Sequence, residues 1–258
     1  MIQIHPSAVV APEAKFGPDC SVGAFSVIGP AVTVGSGTVI GSHALIEGIT
    51  EIGERCQIFS HVVLGAAPQI FQDRSEMTRL VIGDETVIRE FASVHRGSSQ
   101  GRGATVLGRR NYIMAYAHIA HDCLLRDDVV VASQAGLAGH VEVEDRAVIG
   151  GQAGIHQFVR IGQYAMVGAC SAVSQDIPPF VKAQGDRAKC FGLNTVGLRR
   201  HGIGQEAILR LKQAYRLLFL SSLNTSQALE RIASEVSSCP EIDHLIHFIK
   251  LSTRGIAR

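Results

Sequence analysis

Apolar residues recur along this chain with a period of six. From Ile4 to Leu64 every sixth residue is apolar, and glycine often follows it directly. Four places after each apolar residue there is a small or β-branched residue, such as Ala8 or Cys20. The apolar positions of this first run are Ile4, Val10, Phe16, Val22, Ile28, Val34, Ile40, Ile46, Ile52, Ile58 and Leu64. This period is typical neither of an α-helix, with 3.6 residues per turn, nor of a hairpin meander.

The period is interrupted twice and then continues. Residues 66–81 break it, Ile82, Ile88 and Val94 restore it, and residues 98–106 break it again. The positions of the second long run are Leu107, Ile113, Ile119, Leu125, Val131, Leu137, Val143, Ile149, Ile155, Ile161, Val167 and Val173. We interpret both interruptions as loops that leave a repetitive scaffold, where binding elements are common.

A coil of three short flat strands explains a period of six. Each strand points one large aliphatic residue inward, small residues fit the tight corners, and glycine or a short polar residue takes the turn. Eighteen residues then complete one coil, and successive coils lie about 4.8 Å apart. The sequence therefore predicts an all-β, left-handed parallel β-helix of hexapeptide repeats over residues 1–185, with extruded loops near 66–81 and 98–106.

The remaining residues, 186–258, are predicted to form a helical appendage. Residues 203–220 have helical periodicity, and a second helix is expected to be capped by Thr225 or Ser226. A third helix is expected after Pro240. The residues expected on one face of the first helix are Ile208, Leu211, Tyr215 and Leu218.

Composition narrows the functional classes. The net charge of +1 gives no reason to expect a nucleic-acid partner. Hydrophobic residues make up 46% of the chain, but no apolar run is long enough for a transmembrane segment, and the first residues lack the features of a signal peptide. The six cysteines are scattered, which argues against a disulfide framework or a zinc cluster. We therefore expect a cytoplasmic protein.

Histidines are concentrated in the second run. His118, His121, His140 and His156 lie within 39 residues, His95 precedes them, and none occupies an inward position. Each side chain should therefore project from the prism. We interpret the cluster as functional rather than as a set of solvated surface residues.

The period of eighteen brings chemical groups together. His140 follows Asp122 by eighteen residues, and Gly139 follows His121 by the same interval. A carboxylate can hold an imidazole in the tautomer that a general base needs, and a glycine amide can donate to a developing oxyanion. Histidines alone leave a second enzyme class open, a zinc-dependent hydratase resembling the gamma-class carbonic anhydrases. A noncatalytic trimeric scaffold is a third possibility. The loops and the long helical tail suit a bulky substrate better than carbon dioxide.

Several motifs closely resemble the UDP-N-acetylglucosamine O-acyltransferase family. They include His-Ile-Ala-His-Asp-Cys at 118–123 and Gln-Asp-Ile-Pro-Pro-Phe at 175–180. The resemblance extends over nearly the whole chain, and its other motifs lie at 88–90, 94–97, 137–141, 155–158, 191–194 and 252–255. The family performs the first step of lipid A biosynthesis. The resemblance implies transfer of a 3-hydroxyacyl group from acyl carrier protein to the glucosamine 3-position of UDP-N-acetylglucosamine.

The resemblance also implies roles for individual residues. His121 would be the general base, Asp122 would orient it, and the Gly139 amide would stabilise the oxyanion. No acyl-enzyme, metal or cofactor is expected, since acyl carrier protein brings the co-substrate, and the active sites would lie between the subunits of a homotrimer. The expected substrate-binding residues are Gln69, His95, His118, His140, His156, Gln157, Asn194 and Arg200. Basic groups near the cleft rim should steer the acidic carrier.

Three positions bear on substrate choice. Gln72 replaces a lysine that the family uses on the nucleotide sugar, and Val196 replaces a frequent glutamate. These departures leave open an acceptor that is a different sugar nucleotide or a 3-amino analogue. Ala169 occupies the position that sets acyl length, where glycine leaves room for a longer chain. Its methyl group should shorten the accepted tail.

Overall fold

The structure is a computed structural model that describes residues 1–71 and 77–258. Short strands follow one another at nearly regular intervals up to residue 173. In chain order they are β1 (Gln3–Ile4), β2 (Val9–Val10), β3 (Lys15–Phe16), β4 (Ser21–Val22), β5 (Val27–Ile28), β6 (Val32–Val34), β7 (Val39–Ile40), β8 (Leu45–Ile46), β9 (Ile49–Ile52), β10 (Gln57–Ile58), β11 (Val63–Ala66), β12 (Arg79–Ile82), β13 (Val87–Ile88), β14 (Ser93–His95), β15 (Ala104–Leu107), β16 (Tyr112–Ile113), β17 (His118–Ile119), β18 (Leu124–Leu125), β19 (Val130–Val131), β20 (Gly136–Leu137), β21 (Glu142–Val143), β22 (Val148–Ile149), β23 (Gly154–Ile155), β24 (Arg160–Ile161), β25 (Met166–Val167) and β26 (Ala172–Val173). A hairpin of β27 (Val181–Gln184) and β28 (Lys189–Leu193) follows.

Up to β26, every third strand belongs to the same sheet. The first sheet runs β1-β4-β7-β10-β13-β16-β19-β22-β25-β27-β28, the second runs β2-β5-β8-β11-β14-β17-β20-β23-β26, and the third runs β3-β6-β9-β12-β15-β18-β21-β24. Neighbours within a sheet are parallel, except for the antiparallel β27–β28 pair. In the regular coils the partners are eighteen residues apart, as in Ile119 with Leu137. The chain is therefore a triangular prism of stacked coils.

The predicted inward residues form the core. Ile119, Leu137 and Ile155 stack across successive coils, and each is at most 2% exposed. Small residues such as Ala117 and Cys123 are fully buried at the corners. Burial of one aliphatic residue per strand supplies the hydrophobic stabilisation that two-residue strands could not obtain alone.

The corners bend through left-handed backbone. Asp122, His140 and Phe158 occupy equivalent corner positions with φ of 61°, 64° and 64°. This conformation is unfavourable for residues other than glycine. Hydrogen bonds between coils offset that cost, because His140 N donates to His121 O at 3.0 Å and Phe158 N donates to Gly139 O at 3.1 Å. One edge of the prism, formed by these corners, therefore contains the candidate site residues Asp122 and His140.

The chain leaves the prism between β11 and β12 and again between β14 and β15. Gln72, which stands where the family has a lysine, lies outside the described residues. At the other end, the hairpin of β27 and β28 crosses the predicted division at residue 185. That division stays a prediction.

Four helices complete the described chain, namely α1 (Thr195–Arg200), α2 (Gln205–Phe219), α3 (Thr225–Glu235) and α4 (Pro240–Lys250). The cap of α3 is Asn224 in a capping box with Gln227, so the expected cap at Thr225 or Ser226 was wrong. Asn224 Oδ1 accepts from the Gln227 amide while the Gln227 side chain accepts from the Asn224 amide, a reciprocal pair that neither hydroxyl residue forms. None of the helices in the described residues is long and apolar enough to cross a membrane.

The buried face of α2 is close to the predicted one. Ile208, Leu211 and Leu218 are buried as expected, whereas Ala214 takes the place predicted for Tyr215, which is partly buried. Contacts with the prism fix α4, since the Arg160 guanidinium lies 4.3 Å from the Phe248 ring centroid. The helices therefore pack on the last coils.

Truncation of one inward residue tests the stacked core. Ile119→Ala should lower the free energy of unfolding by about 2–5 kcal/mol, because a fully buried side chain is lost and the coils above and below cannot close the cavity. Denaturant unfolding followed by circular dichroism measures this. Val9→Ala, at a side chain that is 65% exposed, is the control and should change the midpoint little. Equal effects of the two changes would contradict a core built from the period of six.

Candidate active site

A histidine and a carboxylate form a hydrogen-bonded pair at the corner after β17. His121 Nδ1 lies 2.8 Å from Asp122 Oδ2. The His121 side chain is 16% exposed, whereas Asp122 is fully buried. Because an ionised carboxylate only accepts hydrogen bonds, Nδ1 carries the proton and the Nε2 lone pair is free to accept one. The pair therefore has the arrangement of an oriented general base.

The second extruded loop anchors Asp122. Ser98 N donates to both carboxylate oxygens, at 3.1 and 3.2 Å, and the Ser98 hydroxyl donates to Oδ2. The Asp122 amide donates to Thr105 Oγ1 at 2.8 Å. Burial raises the pKa of the Asp122 carboxyl, but the hydrogen bonds from Ser98 and His121 outweigh it, so that this pKa is lowered below its ordinary value. Asp122 is therefore ionised at neutral pH.

Gly139 lies directly against the imidazole of His121. A Cβ at this position would lie 2.5 Å from His121 Cε1 and 2.6 Å from Nε2. Any side chain would therefore cover the nitrogen that must accept a proton. Within the described residues, 1–71 and 77–258, no protein group accepts a hydrogen bond from the Gly139 amide. That amide is available to a substrate oxygen.

His140 lies behind the pair. Its Nε2 is 3.8 Å from Asp122 Oδ2, and its ring stacks on Phe158 at 4.4 Å between centroids. Burial lowers the pKa of His140, which favours the neutral ring at neutral pH. Ligand atoms of His121, Asp122 and His140 lie within 4.8 Å of one another, which suggests a possible metal site. A metal there would have to displace the hydrogen bond between His121 and Asp122.

The pair opens into a cleft of about 690 Å³ on the second sheet. His118, His121, Gly139, His156 and Gln69 from the first extruded loop all line it. Small residues occupy the outward positions of β20, β23 and β26, so the floor of the cleft is not blocked by side chains. These floor residues are Gly136, Gly154 and Ala172. Five of the predicted site residues therefore meet in one cleft.

His118, in the cleft wall, is supported from behind by a second histidine, His95. His118 Nδ1 is 2.8 Å from Ser93 Oγ, and its ring meets His95 edge-on at 5.1 Å. His95 is only 7% exposed and does not line the cleft. Burial lowers the pKa of both imidazoles, and the positive charge of a neighbouring histidine lowers each further. Both rings are therefore neutral groups that can hydrogen-bond.

The other predicted residues lie farther along the prism. Gln157 is exposed, and its carbonyl lies 3.1 Å from His156 Nδ1. Ala169 is exposed at the next corner, three residues before Ala172 in the cleft floor.

Asn194 and Arg200 lie at a different corner of the same chain. The Asn194 side chain donates to Tyr164 O at 2.9 Å and caps α1 by accepting from the Gly197 amide. Arg200 is exposed at the end of α1, and Val196 is 59% exposed near its start. None of these residues lines the cleft that contains His121 in the same chain.

Two residues near the pair were not predicted. Ser98 holds the carboxylate, and Gly101 packs so closely that a Cβ would lie 2.4 Å from Asp122 Oδ2 and 2.7 Å from His140 Cε1. Both lie in the loop that breaks the period of six. The glycine and serine content of residues 97–103 was the signal available in the sequence. It marks a loop but does not identify what the loop covers.

Comparison with known proteins gives two family matches and several full-length relatives. Residues 176–257 match the family described as Udp N-acetylglucosamine O-acyltransferase, Domain 2, and residues 13–48 match the bacterial transferase hexapeptide family. A relative from Thermodesulfovibrio yellowstonii, named acyl-[acyl-carrier-protein]--UDP-N-acetylglucosamine O-acyltransferase, is 47% identical over 100% of both chains. A relative of the same name from Ralstonia nicotianae is 53% identical over 99% of this chain and 98% of its own.

A solved structure confirms the predicted fold. LpxA from Acinetobacter baumannii superposes with a TM-score of 0.96 at 41% identity, covering 99% of each chain. The predicted left-handed parallel β-helix with C-terminal helices is thereby confirmed. On the full-length identity of its relatives, this chain belongs to the UDP-N-acetylglucosamine O-acyltransferase family.

Proposed function

We propose that this enzyme transfers a 3-hydroxyacyl group from acyl carrier protein to the glucosamine 3-hydroxyl of UDP-N-acetylglucosamine. The names of its relatives state acyl transfer from acyl carrier protein to an oxygen of UDP-N-acetylglucosamine. The observation that carries this proposal is the His121–Asp122 pair in the cleft, with Gly139 packed against the imidazole of His121. The place of the reaction is the first step of lipid A biosynthesis, in the cytoplasm. No metal or cofactor takes part.

Proton removal is the first step. His121 Nε2 accepts the proton of the sugar hydroxyl while Nδ1–H remains bonded to Asp122. Asp122 stabilises the imidazolium that forms, and Ser98 keeps the carboxylate in place. Because Asp122 is buried and fully hydrogen-bonded, it orients the ring without taking the proton itself.

Acyl transfer follows. The sugar oxygen attacks the thioester carbonyl carbon, and the carbonyl electrons move onto the oxygen. The Gly139 N–H donates to this oxyanion. When the intermediate collapses, the carbon–sulfur bond breaks, and the departing sulfur receives the proton from the His121 imidazolium. The products are the ester and the free thiol of the carrier, and the imidazole is neutral again.

The cleft supports a substrate with one polar end and one apolar end. His118, His156 and Gln69 offer hydrogen-bonding groups for the sugar nucleotide. The small residues Gly136, Gly154 and Ala172 leave a shallow apolar floor. An extended acyl chain can lie along this floor without displacing any side chain, since a Cβ at Gly136 or Gly154 would meet no atom within 4 Å.

A homotrimer accounts for the residues that lie away from the cleft. Asn194 and Arg200 are near the corner of Tyr164, whereas His121 is at the corner that contains His140 and Phe158. In a closed cyclic assembly, one subunit's Tyr164 corner can approach the His121 cleft of its neighbour. Arg200 and Asn194 would then contact substrate held by another subunit.

A 3-amino analogue of the sugar is the second candidate acceptor. Val196 is exposed two residues after Asn194, where many family members carry a glutamate. A valine cannot accept a hydrogen bond there, so the contact that selects the 3-position would differ. The same base and oxyanion contact serve either acceptor.

Product identification tests the function directly. The protein incubated with UDP-N-acetylglucosamine and a series of 3-hydroxyacyl carrier thioesters should yield the 3-O-acyl product by mass spectrometry. Competition with the 3-amino sugar should favour the hydroxyl.

His121→Ala should lower kcat by about 100- to 10,000-fold, because the general base is lost.

The matched control for that change is His61→Ala, an exposed histidine stacked on Phe91 at another corner, which should leave kcat unchanged. Both variants should retain the wild-type mass in light scattering. Full turnover by His121→Ala would refute the proposed base, and activity that requires stoichiometric zinc would favour the hydratase-like site.

A methyl group at Gly139 tests the close approach to the base. Gly139→Ala should lower kcat by about 100-fold, because the added Cβ displaces the His121 ring from its productive position. Steady-state kinetics measures the change. Gly204→Ala adds the same methyl group in open space outside the cleft and should retain wild-type kcat. Similar kcat values in both variants would show that Nε2 is not the reacting atom.

Ala169 is the residue proposed to set acyl length. Ala169→Gly should shift the preference toward a longer acyl chain, since removing the methyl group extends the space for the tail. A shift of one pair of methylenes corresponds to about a fifteenfold change in relative kcat/KM, at about 0.8 kcal/mol per buried methylene. Competition among carrier thioesters of graded length measures it. An unchanged ranking would place the end of the acyl chain elsewhere.

A further inference from the structure

The C-terminal segment after α4 returns to the last coil of the prism. Asp176 pairs with Ile256 in a parallel bridge, the Asp176 amide donates to Gly255 O at 3.0 Å, and Ala257 N donates to Asp176 O at 2.9 Å. The Ser252 hydroxyl donates to the buried Asp176 carboxylate at 2.7 Å. The tail is thus held on the prism by contacts on both sides of Arg254.

These contacts bring Arg254 to the edge of the cleft. Its Nε and Nη2 each donate to Ser174 O at 3.2 Å, and Nη2 lies 3.3 Å from His156 Nδ1. Ser174 and His156 both line the cleft. Gly255, with φ of +73°, supplies the left-handed turn that follows Arg254, a conformation that glycine adopts without cost.

Two contacts of His156 Nδ1, one with Arg254 and one with the Gln157 carbonyl, compete to set where the His156 proton lies. A guanidinium has donors only, so His156 Nδ1 can hydrogen-bond to it only as an unprotonated acceptor. The neutral ring then carries its proton on Nε2. The Gln157 carbonyl, 3.1 Å from the same Nδ1, requires the opposite tautomer, because a carbonyl only accepts. The two contacts are therefore mutually exclusive.

We propose that Arg254 is a positioning residue that fixes the tautomer of His156, so that Nε2–H is a hydrogen-bond donor to an acceptor oxygen of the sugar nucleotide. Without Arg254, the neutral ring adopts the other tautomer. Its proton is then on Nδ1, where it is donated to the Gln157 carbonyl, and Nε2 can only accept a hydrogen bond. The identity of the ligand rests on the proposed function; the tautomer does not.

The tail has other anchors, which makes the role of Arg254 separable from folding. The Arg258 guanidinium donates to the carbonyls of Leu218 and Leu223, and the Asp176 contacts do not involve the Arg254 side chain. Arg258→Ala therefore loosens the same tail without touching His156. It is the matched control for Arg254→Ala.

Nitrogen NMR of histidine-labelled protein reads the tautomer directly, with the His156 signals identified by their loss in His156→Gln. The wild-type protein and Arg258→Ala should show an unprotonated Nδ1 and a protonated Nε2. Arg254→Ala should show the population moving to protonated Nδ1. A protonated Nδ1 in the wild-type protein, or an Arg254→Ala spectrum equal to the wild type, overturns the proposal. This measurement needs no acyl transfer, so an enzyme inactive on UDP-N-acetylglucosamine would refute the proposed function alone.

Kinetics separates positioning from a purely structural role. Arg254→Ala should raise KM for the sugar nucleotide about tenfold, which corresponds to the binding free energy of one hydrogen bond. The value of kcat should change by less than about threefold. Arg254→Lys, which keeps a donor, should recover part of the loss. In a His156→Ala background, Arg254→Ala should add no further loss. A tenfold loss that persists in that background would show that Arg254 does not act through His156.

Discussion

Parallel pairing between coils controls where the functional groups of the prism lie. Each strand aligns with the strand one coil away, so that His118 pairs with Gly136 and Gly136 pairs with Gly154. Because inward and outward positions alternate, a slip of one residue would expose the buried aliphatics. The register is therefore fixed by core burial, and the outward groups inherit it. An imidazole at position 121 and a glycine at position 139 meet for this reason.

The two extruded loops escape this register, and they complete the site. Ser98 and Gly101 lie against the Asp122 carboxylate, and Gln69 reaches the cleft from the first loop. The prism supplies rigid positions for base and amide, whereas the loops supply contacts that repeats cannot provide. Burial of the Asp122 charge is costly unless its oxygens are hydrogen-bonded, and the second loop meets that requirement.

The C-terminal segment plays a comparable part at the other end of the cleft. Its contacts with Asp176 extend the last coil and carry Arg254 to His156. Both extensions act on the protonation pattern of a histidine, Ser98 indirectly through Asp122 and Arg254 by direct contact. A scaffold of two-residue strands thus obtains chemical precision from segments that do not obey its repeat.

The sequence by itself determined the coil, because a coil of three short strands is the common fold that buries apolar residues spaced six apart. The stacking of residues eighteen apart then predicted the contacts of His121 with Gly139 and of Asp122 with His140. It also indicated helices near those observed, although the cap at Asn224 was missed because several neighbouring residues could cap. Only the tertiary structure decided that Ser98 and Gly101 cover the carboxylate, that Asn194 and Arg200 lie at another corner, and that Arg254 contacts His156. These contacts join segments from 24 to 98 residues apart that share no period, so that no local pattern specifies them and packing of the whole chain must.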